Sequence, residues 1–478
     1  MAIKTNPVVS AILLLMRKQI TEKSFYRYLK CPSWIGHEAK GAHAEDALRS
    51  RIQADGMLPE HHKKLLTSRK NVVEITEPDL DDAAVKTLEL MKAGVESIYG
   101  GALIHGHWVG RPDLLERVQG KSNFGDYYYI ACDIKRSRHL KDEYRMQGCF
   151  YAELLKLVQG SKPRQGYVMH ADGTVEAYVI EEFETRFQLT LDSIERILEG
   201  IDEPHFLTSD CKQSPWFHEC KRSAIECDDL SRLNRVWRSE TDALRAAGIT
   251  TVTELSRIHP DLAAAKVSGV TQDRLAFLIE QAKALVAGKV ITLGRIDVPD
   301  DKDALVIDVE ADPLRDLHYL FGVLDVHGQQ KTFHKFLAES QDQEQKAWED
   351  FVQFMQGYPG VPIYHYGWYE IDVFRLMTER YGAPEGFMDD IESRSIDLLV
   401  KLRDSVIFPL SFYSLKDIAQ YLGFRWRHED ASGLNSVLWY EEWLRTGNRE
   451  VLDDIVRYNE DDVLATWHVQ QWAIKHVV

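Results

Sequence analysis

The stretch Val306-Ile307-Asp308-Val309-Glu310 reads as a β-strand with two acids on it. Side chains two apart on a strand point to the same face, so Asp308 and Glu310 share one. Two carboxylates on one face of a core strand are costly unless a cation joins them. Working outward, strands are expected over 304–310 and 319–326, helices over 343–356 and 370–381, and a last helix over 449–476. That order predicts a mixed α/β domain beginning near Ile291. Two further acid-bearing segments fall inside it. Tyr364-His365-Tyr366-Gly367-Trp368-Tyr369-Glu370 leads into a helix, and Tyr458-Asn459-Glu460-Asp461-Asp462 lies on the last one. There Tyr458 and Asp462 stand at i and i+4, so hydroxyl and carboxylate face one site.

Four acids can hold two divalent ions about 3.5–4 Å apart, one activating water and one stabilising the leaving oxygen. A tyrosine hydroxyl can orient that water. The ordered set resembles the DEDD exonucleases of RNase H-like (DnaQ-like) fold, in their tyrosine-containing subclass. The resemblance implies Asp308, Glu310, Glu370 and Asp462 as ligands of Mg²⁺ or Mn²⁺, with Tyr458 positioning water. Most relatives carry Asp where this chain has Glu370, and Asp372 is an alternate. Asp397 and the run Tyr413-Ser414-Leu415-Lys416 also look like this branch, or equally like a helix cap and a helix start.

A second constellation lies earlier. Tyr127-Tyr128-Tyr129-Ile130-Ala131-Cys132-Asp133-Ile134-Lys135 reads as a strand charged only at its end, where Asp133 and Lys135 share a face. Before it, Gly110-Arg111-Pro112-Asp113 places another acid after a turn. After it, 142–159 reads as an amphipathic helix on which Gln147 and Tyr151 share a face. Two carboxylates can hold Mg²⁺ or Mn²⁺, and a nearby lysine can orient water and stabilise a pentavalent phosphorus. The order Gly-x-x-Asp, Asp-x-Lys, Gln-x-x-x-Tyr resembles the PD-(D/E)XK nucleases, and within them the RecB-like family, over about 21–229. It implies Asp113 and Asp133 as metal ligands, Lys135 as catalytic, and Gln147 and Tyr151 as residues that orient substrate and site. The family also places a Glu or His on its first core helix. Glu45 fits the pattern Glu-x-x-Leu, with His43 as alternate.

Iron–sulfur members of that family use one cysteine before the core and three after it. Cys31 matches the first, and Cys211-x-x-Ser214-Pro215-Trp216-x-x-x-Cys220 resembles the later group with Ser214 in place of a cysteine. Cys227 would supply the fourth thiolate that a [4Fe–4S] cluster ordinarily requires. Zinc on the same four, or buried thiols without metal, are the other readings.

Between the two regions, about 231–288 is Ala/Leu-rich and helical. Its openings Ala247-Gly248-Ile249-Thr250 and Ser268-Gly269-Val270-Thr271 resemble helix-hairpin-helix turns, which present backbone N–H groups to a phosphate; a plain helical spacer is the other reading. The whole order resembles a bacterial group of RecB-family nucleases with a C-terminal RNase H-like domain. The expected domains are an N-terminal segment 1–20, a RecB-like restriction-endonuclease fold with the cysteine segment over 21–230, a helix-hairpin-helix-like domain over 231–290, and the RNase H-like domain over 291–478.

A net charge of −17 argues against nonspecific coating of nucleic acid, yet suits an enzyme whose acids hold metal and whose basic groups are local. The apolar run Val8–Met16 is about half of a membrane span, so a packed N-terminal element and a cytoplasmic protein without a membrane partner are expected. Six cysteines do not suggest a disulfide scaffold. The resemblances imply a metal-dependent nuclease, exonucleolytic, acting on DNA ahead of RNA, in repair or mobile-element DNA processing. Other readings are an RNA nuclease, or a binding module with inactive nuclease folds.

Overall fold

The computed structural model describes residues 19–40, 62, 65–67, 69, 71–135, 140–170, 173–201, 206–260, 267–312, 315–428 and 433–476. Glu45, His43 and the run Val8–Met16 lie outside the described residues. The chain divides into two compact units, Met1–Ser223 and Ala224–Val478.

In the first unit, β1 (Ile20–Thr21) leads into α1 (Glu22–Lys30) and α2 (Pro32–Ala39). Thr21 and Ser24 form a reciprocal cap at the start of α1. The helix stops before Pro32, whose fixed φ and missing N–H suit the first position of α2 instead. Then follow β2 (Val72–Glu74), α3 (Leu80–Lys92), β3 (Ser97–Tyr99), β4 (Leu103–His105), β5 (Trp108–Gly110), β6 (Leu114–Ser122) and β7 (Gly125–Ile134). Next come α4 (Asp142–Gln159), β8 (Gln165–Met169), β9 (Val175–Val179) and α5 (Glu184–Leu198), and α6 (Phe217–Glu226) follows where the two units meet in sequence.

The six-stranded sheet runs β2-β3-β6-β7-β8-β9. β6 and β7 are an antiparallel hairpin, and α4 is the crossover that lets β8 run parallel to β7, with Asp133 opposite Val168. Phe25, Phe150 and Phe187 from α1, α4 and α5 pack ring on ring at 5.5 and 5.0 Å in the core. Gln159, at the end of α4, accepts a hydrogen bond from the Tyr129 N–H (2.8 Å) and donates one to its carbonyl (2.9 Å), pinning the helix to β7.

In the second unit, α7 (Arg238–Ala246), α8 (Val252–Ser256) and α9 (Gln272–Ala287) precede β10 (Ile291–Thr292). A meander of β11 (Asp303–Asp312), β12 (Leu317–His327) and β13 (Gln330–Leu337) then forms. The chain continues through α10 (Glu344–Gln356), β14 (Ile363–His365), α11 (Tyr369–Tyr381), α12 (Phe387–Arg394), β15 (Ser395–Asp397) and α13 (Leu398–Ser405). It ends with β16 (Val406–Ile407), α14 (Leu415–Tyr421), α15 (Gly433–Thr446) and α16 (Arg449–Lys475).

The five-stranded sheet has the order β13-β12-β11-β14-β15. Its first three strands are antiparallel, and β14 and β15 are parallel to β11 and to each other in turn. Alternation along β11 divides the core. Leu305, Ile307 and Val309 pack with Trp348, Phe351 and Phe374, while Ala304 and Val306 pack on the other face with Val463, Trp467 and Val469 of α16. Asp308 and Glu310 continue that second series, which directs them toward α16. Among the described residues no helix is long and apolar enough to cross a membrane.

Candidate active site

One oxygen from each of Asp308, Glu310 and Asp462 lies within 4.8 Å of the others, and among the described residues no other three acids, histidines or cysteines converge so closely. Period 2 on β11 supplies the first two, and the fourth turn of α16 supplies the third. Each carboxylate is held by a donor from another element. Asn459 Nδ2 donates to Asp308 Oδ2 at 2.7 Å, Ser436 Oγ to Glu310 Oε2 at 2.6 Å, and Trp426 Nε1 to Asp462 Oδ1 at 2.7 Å. The Tyr458 hydroxyl hydrogen-bonds Asp462 one turn along α16.

The neighbouring acids of α16 have other tasks. Asp461 accepts from Arg427 N and Nε at 2.8 Å, and Glu460 from Arg427 Nη2 at 2.7 Å, which leaves Asp462 as the member of the run that faces β11. Glu370, at the start of α11, is buried beside this group, and its Oε2 has no hydrogen-bond partner among the described residues. Asp372 is exposed and pairs with Arg375 at 2.8 Å, away from any such role. Asp397 accepts from the N–H groups of Gly367, Leu399 and Val400, so it caps α13 and ties down the turn ahead of Glu370. Ser414 caps α14, and Lys416 on that helix acts electrostatically on Asp462.

Burial dominates the electrostatics. It pushes Glu310 up to about 8, with Asp462 adding repulsion, and Glu370 likewise to about 8. Asp462 rises to about 7, and Asp308 well above the carboxylate range under burial and the charges of Asp462, Glu310 and Glu370. Crowded acids with an orphaned buried oxygen fit a divalent cation, which would neutralise the repulsion and supply the missing partner.

The earlier constellation also assembles, more loosely. The Ile134 N–H donates to Asp113 Oδ2 at 2.7 Å, and Lys135 Nζ lies 2.9 Å from Asp133 Oδ2. The Tyr151 hydroxyl hydrogen-bonds Asp133, and Gln147 is buried one turn before it with Oε1 unpartnered among the described residues. Gly110 has a packing reason: a Cβ there would lie 2.8 Å from Leu154 Cδ2 and 3.2 Å from Tyr151 Cε1. Burial, then Asp133, raise Asp113 to about 7. Burial alone would depress Lys135, but Asp133 and Asp113 outweigh it and hold the ammonium firmly charged. Sequence reasoning missed Glu22. It opens α1, accepts from the Arg111 N–H, and is raised by burial and by the charge of Asp133. The sign available was an acid directly after Thr21, a position that an ordinary helix start explains equally well.

Of the cysteines, Cys31, Cys211 and Cys220 are buried and Cys227 is exposed in the second unit. Cys31 hydrogen-bonds both Cys211 and Cys220. An exposed fourth thiol does not fit the enclosed four-thiolate cluster expected from sequence. Gly248 (φ 82°) closes α7, and Gly269 (φ 89°) precedes the Thr271 cap of α9; both are exposed.

Residues 305–474 match the family model of the RNase_H superfamily. They contain the whole β11–β15 sheet apart from the first residues of β11, together with the converging acids. The match supports an RNase H-like domain in the C-terminal region; nucleases of that fold use divalent metals, and Asp308, Glu310 and Asp462 are placed so that they could hold one. No curated protein matches the chain.

Proposed function

We propose that this chain is a divalent-metal-dependent nuclease that hydrolyses phosphodiester bonds of DNA from an end, in repair or in processing mobile-element DNA. The observation that carries this reading is the convergence of Asp308, Glu310 and Asp462 within 4.8 Å, each oriented by a separate hydrogen-bond donor. Those three acids with Glu370 would hold Mg²⁺ or Mn²⁺, which when bound lowers the pKa of water and neutralises charge on the phosphate. Tyr458, anchored on Asp462, orients the attacking water. Ser436, Trp426 and Asn459 fix the carboxylates so that no reorganisation is needed during reaction.

A second nuclease site of RecB-like type is part of the proposal. Its support is the succession α3, β3, β6, β7, α4, β8, with Asp113 entering β6, Asp133 ending β7, and Lys135 just beyond. Glu22 joins Asp113 and Asp133 there as a third acid. The turns at Gly248 and Gly269 would contact the DNA backbone. The test is cleavage of end-labelled single-stranded and duplex DNA and RNA by the full chain, with and without Mg²⁺. Stepwise shortening of DNA supports the reading; RNA cleaved in preference to DNA moves the substrate class, and no cleavage of either rejects it.

A further inference from the structure

The two segments that carry Cys31 and Cys220 also bring in an imidazole. His37 lies on α2, and its Nε2 is 3.7 Å from Cys220 Sγ. Its other nitrogen, Nδ1, is 3.8 Å from Glu219 Oε1. The ring stacks on Trp216 at 5.0 Å and 21°, which fixes its plane. One edge nitrogen of the imidazole thus meets a thiol while the other lies near a carboxylate, within reach of the outer contact that a metal-bound histidine commonly makes.

The thiols are equally prepared. Cys31, Cys211 and Cys220 are each 1% exposed, and Cys31 stands between the other two. The Thr208 N–H donates to Cys211 Sγ at 3.4 Å, and the Cys211 thiol in turn donates to the Phe206 carbonyl at 3.9 Å, a bond that a metal would replace. Ser214, where a fourth cysteine was expected, is turned to another use: its Oγ accepts from the Trp216 N–H at 3.1 Å, shaping the turn that carries the stacked ring. No three of the ligand atoms of Cys31, His37, Cys211 and Cys220 lie all within 4.8 Å of one another, so an ion would have to draw the four side chains in around it.

We propose that Cys31, His37, Cys211 and Cys220 bind one Zn²⁺ in a closed tetrahedral site. Three thiolates and one imidazole are an established structural zinc set, whereas a [4Fe–4S] cluster ordinarily asks for four thiolates. The site leaves no open position for water or substrate, so its role is structural. It joins the α1–α2 corner to the segment 208–220 across a long stretch of chain, which restricts the unfolded state.

The experiment is metal analysis of the full chain purified under reducing conditions from zinc- and iron-supplemented medium, followed by replacement with Co²⁺ and visible spectroscopy. The expected result is about one zinc per chain, with cobalt bands of a tetrahedral sulfur-rich site. His37→Ala loses most of the bound metal, Cys149→Ser keeps it, and His37→Cys keeps it with stronger, red-shifted thiolate-to-cobalt absorption. Cys31→Ser is expected to lower Tm, and His37→Cys decides the matter should that variant not fold. Three results overturn the proposal: no metal taken up, zinc fully retained in His37→Ala, or iron and sulfide retained in His37→Ala.

Discussion

Gly322 tests how the carboxylates are held. It lies on β12 directly opposite Asp308, and a Cβ there would sit 1.7 Å from Asn459 Oδ1 and 2.8 Å from Cγ. Side-chain contacts below 3.0 Å are not tolerated, so in Gly322→Ala the amide must retreat by about 1.3 Å. Asn459 is fully buried and makes a 2.7 Å hydrogen bond to Asp308 Oδ2, which cannot survive that displacement. Losing a buried hydrogen bond so that its partner is left unsatisfied costs ~1–3 kcal/mol, and overpacking adds ~1–3 kcal/mol. Released from its donor, Asp308 no longer presents a fixed oxygen, and loss of such a supporting contact typically lowers activity or metal affinity ~10–100-fold. The assay is Mg²⁺-dependent cleavage alongside Tm for Gly322→Ala, Asn459→Ala and the double variant. Because the clash is with Asn459, the double variant should be no worse than Asn459→Ala alone. Wild-type cleavage and Tm in Gly322→Ala would refute the reasoning.

Three further outcomes are expected. Glu310 and Glu370 sit near 8 and Asp462 near 7, all above their ordinary values, so metal-free stability should fall as pH rises from about 4.5 to about 8 and then level off. Mg²⁺ should therefore raise Tm far more at pH 8 than at pH 5; an equal rise at both rejects the linkage. Lys135→Ala leaves buried Asp133 without its 2.9 Å partner and should cost roughly 3–5 kcal/mol in denaturant titrations while sparing the C-terminal site, and unchanged stability would show the pair to be solvated. Burial would raise Glu344, but hydrogen bonds from His318 and Tyr381 and the charge of Arg380 hold it at about 2. Its stabilisation is present above about 4.5 and fades as pH falls toward 2, so Glu344→Gln should destabilise strongly at pH 7 and converge on wild type in acid; a gap independent of pH contradicts this.

The acids of β11 and α16 were legible because period 2 and the i, i+4 spacing are rigid rules, and an acid pair in an apolar strand breaks pattern visibly. Elements with strong periodicity, such as α4 and α16, were read to within a residue of their ends. Short β14 and β15 were not, since three residues carry no period. Ser436 and Trp426 were invisible as site residues because each is a single polar group on another element brought in only by tertiary packing, while Asn459 stood within the acid-bearing segment of α16 but only the packing of α16 on β11 shows that it meets Asp308. The same holds for His37, whose approach to Cys220 depends on how α2 meets the segment beyond residue 208. Glu22 was hidden by its own good local reason to be at a helix start.

The most direct measurement is Mg²⁺-dependent degradation of end-labelled DNA by wild type, Asp308→Ala, Lys135→Ala and the double variant, each shown to be folded. Asp308 stands at the centre of the converging acids, with Glu310, Glu370 and Asp462 all acting on it. The account predicts that Asp308→Ala loses the activity of the C-terminal site, that Lys135→Ala loses that of the N-terminal one, and that the double variant is inert. A double variant that degrades DNA as wild type does would contradict it.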